Sequence, residues 1–241
     1  MCYNRDSIPI ILRRLYLMKH LSSLFLCAVL LLSLLSVCAS AADIPVAEYA
    51  PNPYLTVINK QSRLPDDWNS RFEFSVGQNS LGELHIVESG ALESFEKLRD
   101  YLLKTQGVQI ELDSVYRSLD QQQEIWDYWL EEYGTDYCEQ YLAPVGCSEH
   151  HTGLALDIFL VKDGEIIRDN DAMLAETDTF ATIHAALADF NFILRYLPGK
   201  EDITGYSYEP WHLRYIGDAT IASDIMSRNL TLEEYMAEIP A

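Results

Sequence analysis

The chain has 241 residues, enough for one domain or one domain with a small appendage. Its hydrophobic fraction of 49% supports a packed core. A formal charge of -20 repels nucleic acid and anionic lipid and argues against both as partners, while leaving zwitterionic peptides open as substrates.

Residues 21–37 are an uncharged run, LSSLFLCAVLLLSLLSV, preceded by Arg13, Arg14 and Lys19 and followed by small residues at 39–42. That is the pattern of a secretory signal peptide or, if uncleaved, a membrane anchor. Residues 1–42 are therefore expected to be targeting sequence, with the rest exported and either secreted, cell-wall-associated or held to a membrane only through this segment. Residues 43–70 contain Pro45, Pro51, Pro53 and Pro65 and read as an extended arm packed on the domain, with a short strand at 54–58.

Residues 71–241 then read as a single domain. A strand is predicted at 83–87, followed by a helix at 91–104 whose Leu92, Phe95, Leu98 and Leu102 recur at the helical period and which Gly107 ends. A strand at 108–112 leads to a helix at 119–132 with Ile125, Trp129 and Leu130 as its apolar side. Residues 133–147 read as a loop beside the site. The strand at 154–160 carries Asp157, and residues 162–165 turn it into a hairpin. A helix over 180–192, an extended piece at 192–196 and the last strands within 206–216 follow. A short helix opened by Thr231, with Glu234 completing a capping box, ends the chain. The pattern is α+β, a small central antiparallel sheet flanked by helices. Of five cysteines, Cys138 and Cys147 are the two in the body of the chain, and their spacing in an exported protein suggests a disulfide, with free thiols or metal ligation as the alternatives.

Two stretches carry chemistry. SEHHTGLALD, residues 148–157, suits a tight turn feeding a half-buried strand, and YEPWHLRYIG follows at 208–217. They offer His150, Asp157 and His212 as nitrogen and oxygen ligands of a catalytic zinc, with Glu209 as the base. Spacing alone does not choose between His150 and His151. Asp157 sits in the apolar run LALDIFL, where a carboxylate needs a cation, a hydrogen-bond network or a metal. Glu209 and His212 are three apart, so on a regular strand they point to opposite faces, and Pro210-Trp211 must bend the chain for both to serve one ion. Arg117 can clamp a carboxylate or steady an oxyanion, with Gln122 one helical turn beyond Ser118. Arg195, in an apolar setting, reads as half of a structural ion pair.

In these residues the chain resembles the zinc D-alanyl-D-alanine carboxypeptidases of the vancomycin-resistance, VanY-like type. Ser148, His150, Gly153, Ala155 and Asp157 match S-x-H-x-x-G-x-A-x-D, and Glu209 to His212 match E-P-W-H. Tyr116-Arg117-Ser118 with Gln122 supports the match. The resemblance implies a single zinc peptidase domain binding one Zn2+ per chain through His150, Asp157 and His212, with Glu209 as catalytic base and Arg117 steadying the substrate. It selects His150 over His151. Tyr116, Ser118, Gln122, Ser148 and Trp211 are the further residues expected at the substrate. The activity implied is removal of the terminal D-alanine from peptidoglycan stem peptides. An L,D-carboxypeptidase or endopeptidase of the same stems is the alternative, and a non-catalytic zinc-stabilised wall-binding domain is the reading from another class. Val115 and Asn191 depart from the family pattern, which has a small residue and a glycine there.

Overall fold

The computed structural model describes residues 44–239, and the predicted leader at 1–42 lies outside the described residues. Among the described residues no helix is long and apolar enough to cross a membrane. A hairpin of β1 (Phe74–Gln78) and β2 (Leu84–Glu88) runs into α1 (Ser89–Gln106), which Glu88 caps by accepting from the Ala91 amide and which Gly107 closes in the left-handed region at φ 67°. Strand β3 (Gln109–Ser114), helix α2 (Leu119–Tyr133) and helix α3 (Thr135–Tyr141) follow. Then come β4 (Ala155–Lys162), β5 (Glu165–Ile167), α4 (Asn170–Ala175), α5 (Thr177–Ala186) and β6 (Phe192–Leu194). Helix α6 (Glu201–Thr204), β7 (His212–Tyr215), α7 (Ala219–Ser227) and α8 (Leu232–Glu238) complete the order. The main sheet runs β3-β4-β7-β6, with β5 on β4, and every pairing is antiparallel.

Alternation along the central strands gives this sheet two different faces. On β4, Leu156, Ile158 and Leu160 enter the main core with Phe95, Leu98 and Leu102 of α1 and Phe180 and Ile183 of α5. On β7, Leu213 and Tyr215 do the same, and on β6, Phe192 and Leu194. The opposite face therefore carries Ala155, Asp157 and Phe159 of β4, His212 and Arg214 of β7, and Ile193 of β6 with Arg195 just beyond it. A register shift between Leu112 and Ser114 on β3 brings Ser114 opposite Asp157, so the bulge adds a polar side chain to the same side.

The predicted arm is built into the domain. Trp68 is fully buried, stacks on Phe72 at 4.5 Å between ring centroids, and donates to the Thr152 carbonyl at 3.0 Å. Residues 54–58 are not a strand: a 3-10 turn, Pro53–Leu55, capped by Asn52, occupies that place. The segment predicted as a loop after Tyr133 contains α3. Its formation explains a second difference, because the expected apolar side of α2 does not reach the core. Only Gln122 of that helix is buried, and Trp129 stacks instead on Tyr133 and on Tyr137 of α3. The expected disulfide is not formed. Both thiols are free and buried, Cys138 directed at the Trp126 carbonyl on α2 and Cys147 packed with Ala143, Tyr196 and Tyr206. Asn191 adopts the left-handed backbone, φ 64°, that its family counterpart's glycine would take. The capping box at Thr231 and Glu234 forms as expected.

Replacing Trp68 with alanine removes a fully buried indole and its hydrogen bond, and is expected to cost ~3–5 kcal/mol. A loss of unfolding free energy well under ~1 kcal/mol in denaturant titration would mean the arm is an ornament on the domain.

Candidate metal centre

Asp157 and His212 lie directly opposite each other across the β4–β7 ladder, so their side chains leave the sheet on the same face. His212 Nδ1 is 2.9 Å from Asp157 Oδ1. His150 reaches the same carboxylate from the 3-10 turn Glu149–Thr152, placing Nε2 at 3.1 Å from Oδ2. That turn is capped by Ser148, whose hydroxyl accepts from the His150 amide at 3.3 Å, and is ended by Gly153 at φ 69°. A Cβ on Gly153 would stand 2.6 Å from the Phe74 ring and 3.2 Å from the Glu88 backbone nitrogen, so both the conformation and the space call for glycine.

The ring orientations follow from their other contacts. His150 Nδ1 is 2.8 Å from the Val115 carbonyl, which can only accept; Nδ1 thus carries the proton and Nε2 presents its lone pair to the centre. Val115 itself packs in the core, and its carbonyl rather than its side chain serves the site. His151 faces away: Nδ1 donates to the Arg117 carbonyl at 2.6 Å, and Nε2 accepts from the Gly146 amide at 3.1 Å. Burial pushes His151 down to about 4, against a smaller opposing effect of that carbonyl.

Glu209 joins the group through a turn. The His212 amide donates to the Glu209 carbonyl at 3.2 Å, so Pro210 and Trp211 fold the chain back just before β7 begins. This is the bend that the three-residue spacing requires, and it brings Glu209 Oε2 to 3.7 Å from His212 Nδ1. Burial raises the Glu209 carboxyl to about 7, with His212 opposing and Asp157 reinforcing the shift. For Asp157, burial pushes upward but the two imidazoles outweigh it and hold the carboxyl well below its usual range.

Arg117 is held by two contacts, donating to Gln122 Oε1 at 2.9 Å and to Ser114 Oγ at 3.1 Å. Gln122 is itself anchored through its amide to the Ala143 carbonyl at 2.8 Å. A cavity of about 340 Å³ joins these groups; Arg117, Gln122, Ser148, His150, Asp157, Glu209, Trp211 and His212 all line it. Two expected substrate residues are absent from it. Tyr116 turns into a neighbouring cavity beside Trp68 and His151, its hydroxyl accepting from Asn69, and Ser118 caps α2 in a capping box with Gln121. Of three consecutive residues, only Arg117 faces the centre. Sequence reasoning missed Tyr196 and Tyr206, which wall the cavity, and Glu149, which is fully buried 3.5 Å from His212. An acid between Ser148 and His150 was the available signal for the last.

The donor set suits a cation that takes nitrogen and oxygen ligands. One atom from each of His150, Asp157 and His212 lies within 4.8 Å of the others, and buried Asp157 Oδ1 accepts no hydrogen bond. Ligands about 2 Å from a shared zinc ion stand roughly 3–3.5 Å apart, close to the separations here.

The family model for VanY, D-alanyl-D-alanine carboxypeptidase, matches residues 84–218, more than half of the chain. The chain belongs to the VanY family. Among curated relatives, the bifunctional D-Ala-D-Ala dipeptidase and carboxypeptidase VanXYC of Enterococcus gallinarum is 41% identical over 128 residues, covering 52% of this chain and 65% of that protein. Among solved structures, a zinc-bound mutant of the vancomycin resistance D,D-pentapeptidase VanY is 30% identical, with a TM-score of 0.61 over 76% of this chain and 98% of the other. The LD-carboxypeptidase LdcB is 29% identical, with a TM-score of 0.67 over 83% of this chain and 97% of the other. The VanY match contains every residue that converges on the cavity centre, from Arg117 to His212.

Proposed function

We propose that this VanY-family chain is a zinc-dependent D-alanyl-D-alanine carboxypeptidase acting on peptidoglycan stem peptides. The observation that carries the reading is the convergence of His150, Asp157 and His212 in one cavity with a half-buried glutamate, Glu209, whose Oε2 stands 3.7 Å from His212 Nδ1. A merely structural metal has no use for such a base.

His150 Nε2, an Asp157 oxygen and His212 Nδ1 would hold the ion. Zinc bound there would lower the pKa of a coordinated water and polarise the scissile carbonyl. Glu209 takes the proton from the attacking water at its carboxylate and delivers it to the leaving D-alanine amine, which asks for a carboxyl whose pKa lies near the working pH. Arg117, fixed by Gln122 and Ser114, offers N–H donors to the substrate oxygen that gains charge or to the free terminal carboxylate. Trp211, Tyr196 and Tyr206 bury the centre and limit the solvent that would weaken these interactions.

A second reading, L,D-carboxypeptidase, has specific support in the likeness to LdcB, whose TM-score exceeds that of the zinc-bound VanY mutant. The residues that converge on the centre serve either cleavage. Residues 1–42 are assigned as an export leader, so that the domain acts outside the cytoplasm at the wall.

The zinc-loaded protein is expected to release one alanine from a pentapeptide stem and to leave a tetrapeptide intact, read by mass spectrometry. Glu209→Gln should lower that turnover by about 10²–10⁴-fold with zinc content unchanged. Trimming of the tetrapeptide instead selects the L,D reading, and an active Glu209→Gln variant removes the base from the mechanism. Because Glu209 must be ionised to accept a proton and burial raises its carboxyl, activity should rise with pH through an acid limb lying above the ordinary glutamate value of about 4.3; a limb at or below that value contradicts the role. For the leader, intact mass of the exported product should show loss of the first ~40 residues, whereas a full-length mass points to an anchor.

A further inference from the structure

From Glu149, in the cavity lining, a group of charges that the proposed chemistry does not use runs back into the protein. The Glu149 side chain is fully buried, and its Oε1 accepts from Arg195 Nε at 2.8 Å and from Arg214 Nη1 at 2.6 Å. Both arginines are fully buried as well. Arg214 spends Nη2 on the Tyr54 and Thr56 carbonyls at 2.9 and 3.0 Å, and Arg195 spends its two terminal nitrogens on Glu233 of α8, at 2.8 and 2.6 Å. Two carboxylates and two guanidiniums thus balance one another. Replacing such a buried set with apolar side chains is often neutral or stabilising, so stability alone does not account for it.

What distinguishes the group is where it ends. Glu149 Oε2 and His212 Nε2 are both buried without a hydrogen-bond partner, and they face each other at 3.5 Å, the outer limit of such a bond. On the far side of the same ring, Nδ1 faces Asp157. A metal-bound histidine needs its second nitrogen protonated and directed at an acceptor, and a carboxylate there fixes both the tautomer and the ring angle. Glu149 Oε2 is the acceptor available to His212, as the Val115 carbonyl is to His150.

We propose that Glu149 is a positioning residue, holding His212 with Nε2 protonated and Nδ1 turned to the metal, and that Glu233 of the C-terminal helix supports it through Arg195. Retention of the metal therefore depends on α8, a helix outside the span matched by the family model. The proposal rests on His212 being a zinc ligand.

The test is competition of a chromophoric chelator for zinc in the loaded protein, with thermal unfolding to confirm that each variant is folded and long-range proton–nitrogen NMR to read the His212 ring. Glu149→Gln should weaken zinc binding by about 10- to 100-fold, and Glu233→Gln by roughly 3- to 10-fold, the range falling with distance from the ligand. In both, the His212 Nε2–H signal should shift or broaden. Glu234→Gln, which removes the same charge from the next position of α8 but pairs with Lys200, should bind zinc as the wild type does. Should Glu149→Gln fail to fold, Glu233→Gln, whose side chain reaches solvent at 16% exposure, decides the matter. Wild-type affinity and an unchanged ring signal in a folded Glu233→Gln overturn the proposal, as does an equal loss in Glu234→Gln. A wild-type chain that binds no zinc overturns the ligand assignment and this proposal together; tight wild-type binding with unaffected variants overturns this one alone.

Discussion

Asp157 is the constraint to which the surrounding structure answers. A carboxylate in the central strand of a sheet must be met by positive charge or give up its own. Alternation leaves it no choice of face, because Leu156 and Ile158 on either side are committed to the core, and turning Asp157 inward would bring both of them out. Its face is therefore where the imidazoles have to come. His212 arrives by direct pairing on β7, and His150 by a capped turn at the strand's entrance. The bulge in β3 supplies Ser114 and, three residues later, Arg117. The site is the polar side of a sheet whose apolar side is the core.

Both ends of the described chain brace this arrangement from outside the family match. The N-terminal arm reaches the turn carrying His150 through Trp68 and the Thr152 carbonyl, and it receives Arg214 on the carbonyls of Tyr54 and Thr56. The C-terminal helix reaches Arg195 through Glu233. Asn59 of the arm also donates to Glu233 at 3.1 Å, so the two braces touch each other behind the centre. The catalytic motifs lie within residues 84–218, but the rigidity that holds their side chains in register is spread over a longer piece of chain.

Local signals carried much of this into the amino-acid sequence. Periodicity located α1 and α2, turn chemistry located the hairpin after β4, and the capping box located α8. The candidate ligands stood out because an acid inside an apolar strand is costly, and the family resemblance then chose between His150 and His151. What escaped was set by direction rather than by residue type. Nothing in Tyr116-Arg117-Ser118 says that only the middle side chain faces the cavity; the bulge before it decides that. The spacing of Cys138 and Cys147 suits a bridge, yet α3 directs Cys138 toward α2 while Cys147 packs on Tyr196 and Tyr206. The apolar residues of α2 repeat at the helical period, yet Trp129 stacks on Tyr137 of the unforeseen α3 and Leu130 stays exposed. The role of Glu149 escaped for a related reason: its partners lie 46 and 65 positions away, Arg195 just past β6 and Arg214 on β7.

The chain's charge of -20 also reads differently at the site than over the whole molecule. Exposed charges are screened beyond a Debye length of ~8 Å at physiological salt, so the acidic surface governs solubility and encounters with large polyanions. It does not set the field inside a buried cavity. There Glu149 contacts Arg195 and Arg214, Asp157 faces the His150 and His212 rings, and Arg117 is a guanidinium without a carboxylate partner in hydrogen-bond contact among the described groups lining the cavity. Burial lowers its pKa and nearby acids oppose that shift, but an arginine stays charged under such pressure. A half-buried cation beside the candidate metal centre would attract one carboxylate at short range while the outer surface repels polyanions at long range. Acidic composition and recognition of a peptide's free carboxyl end are thus compatible, because they act over different distances in different dielectrics.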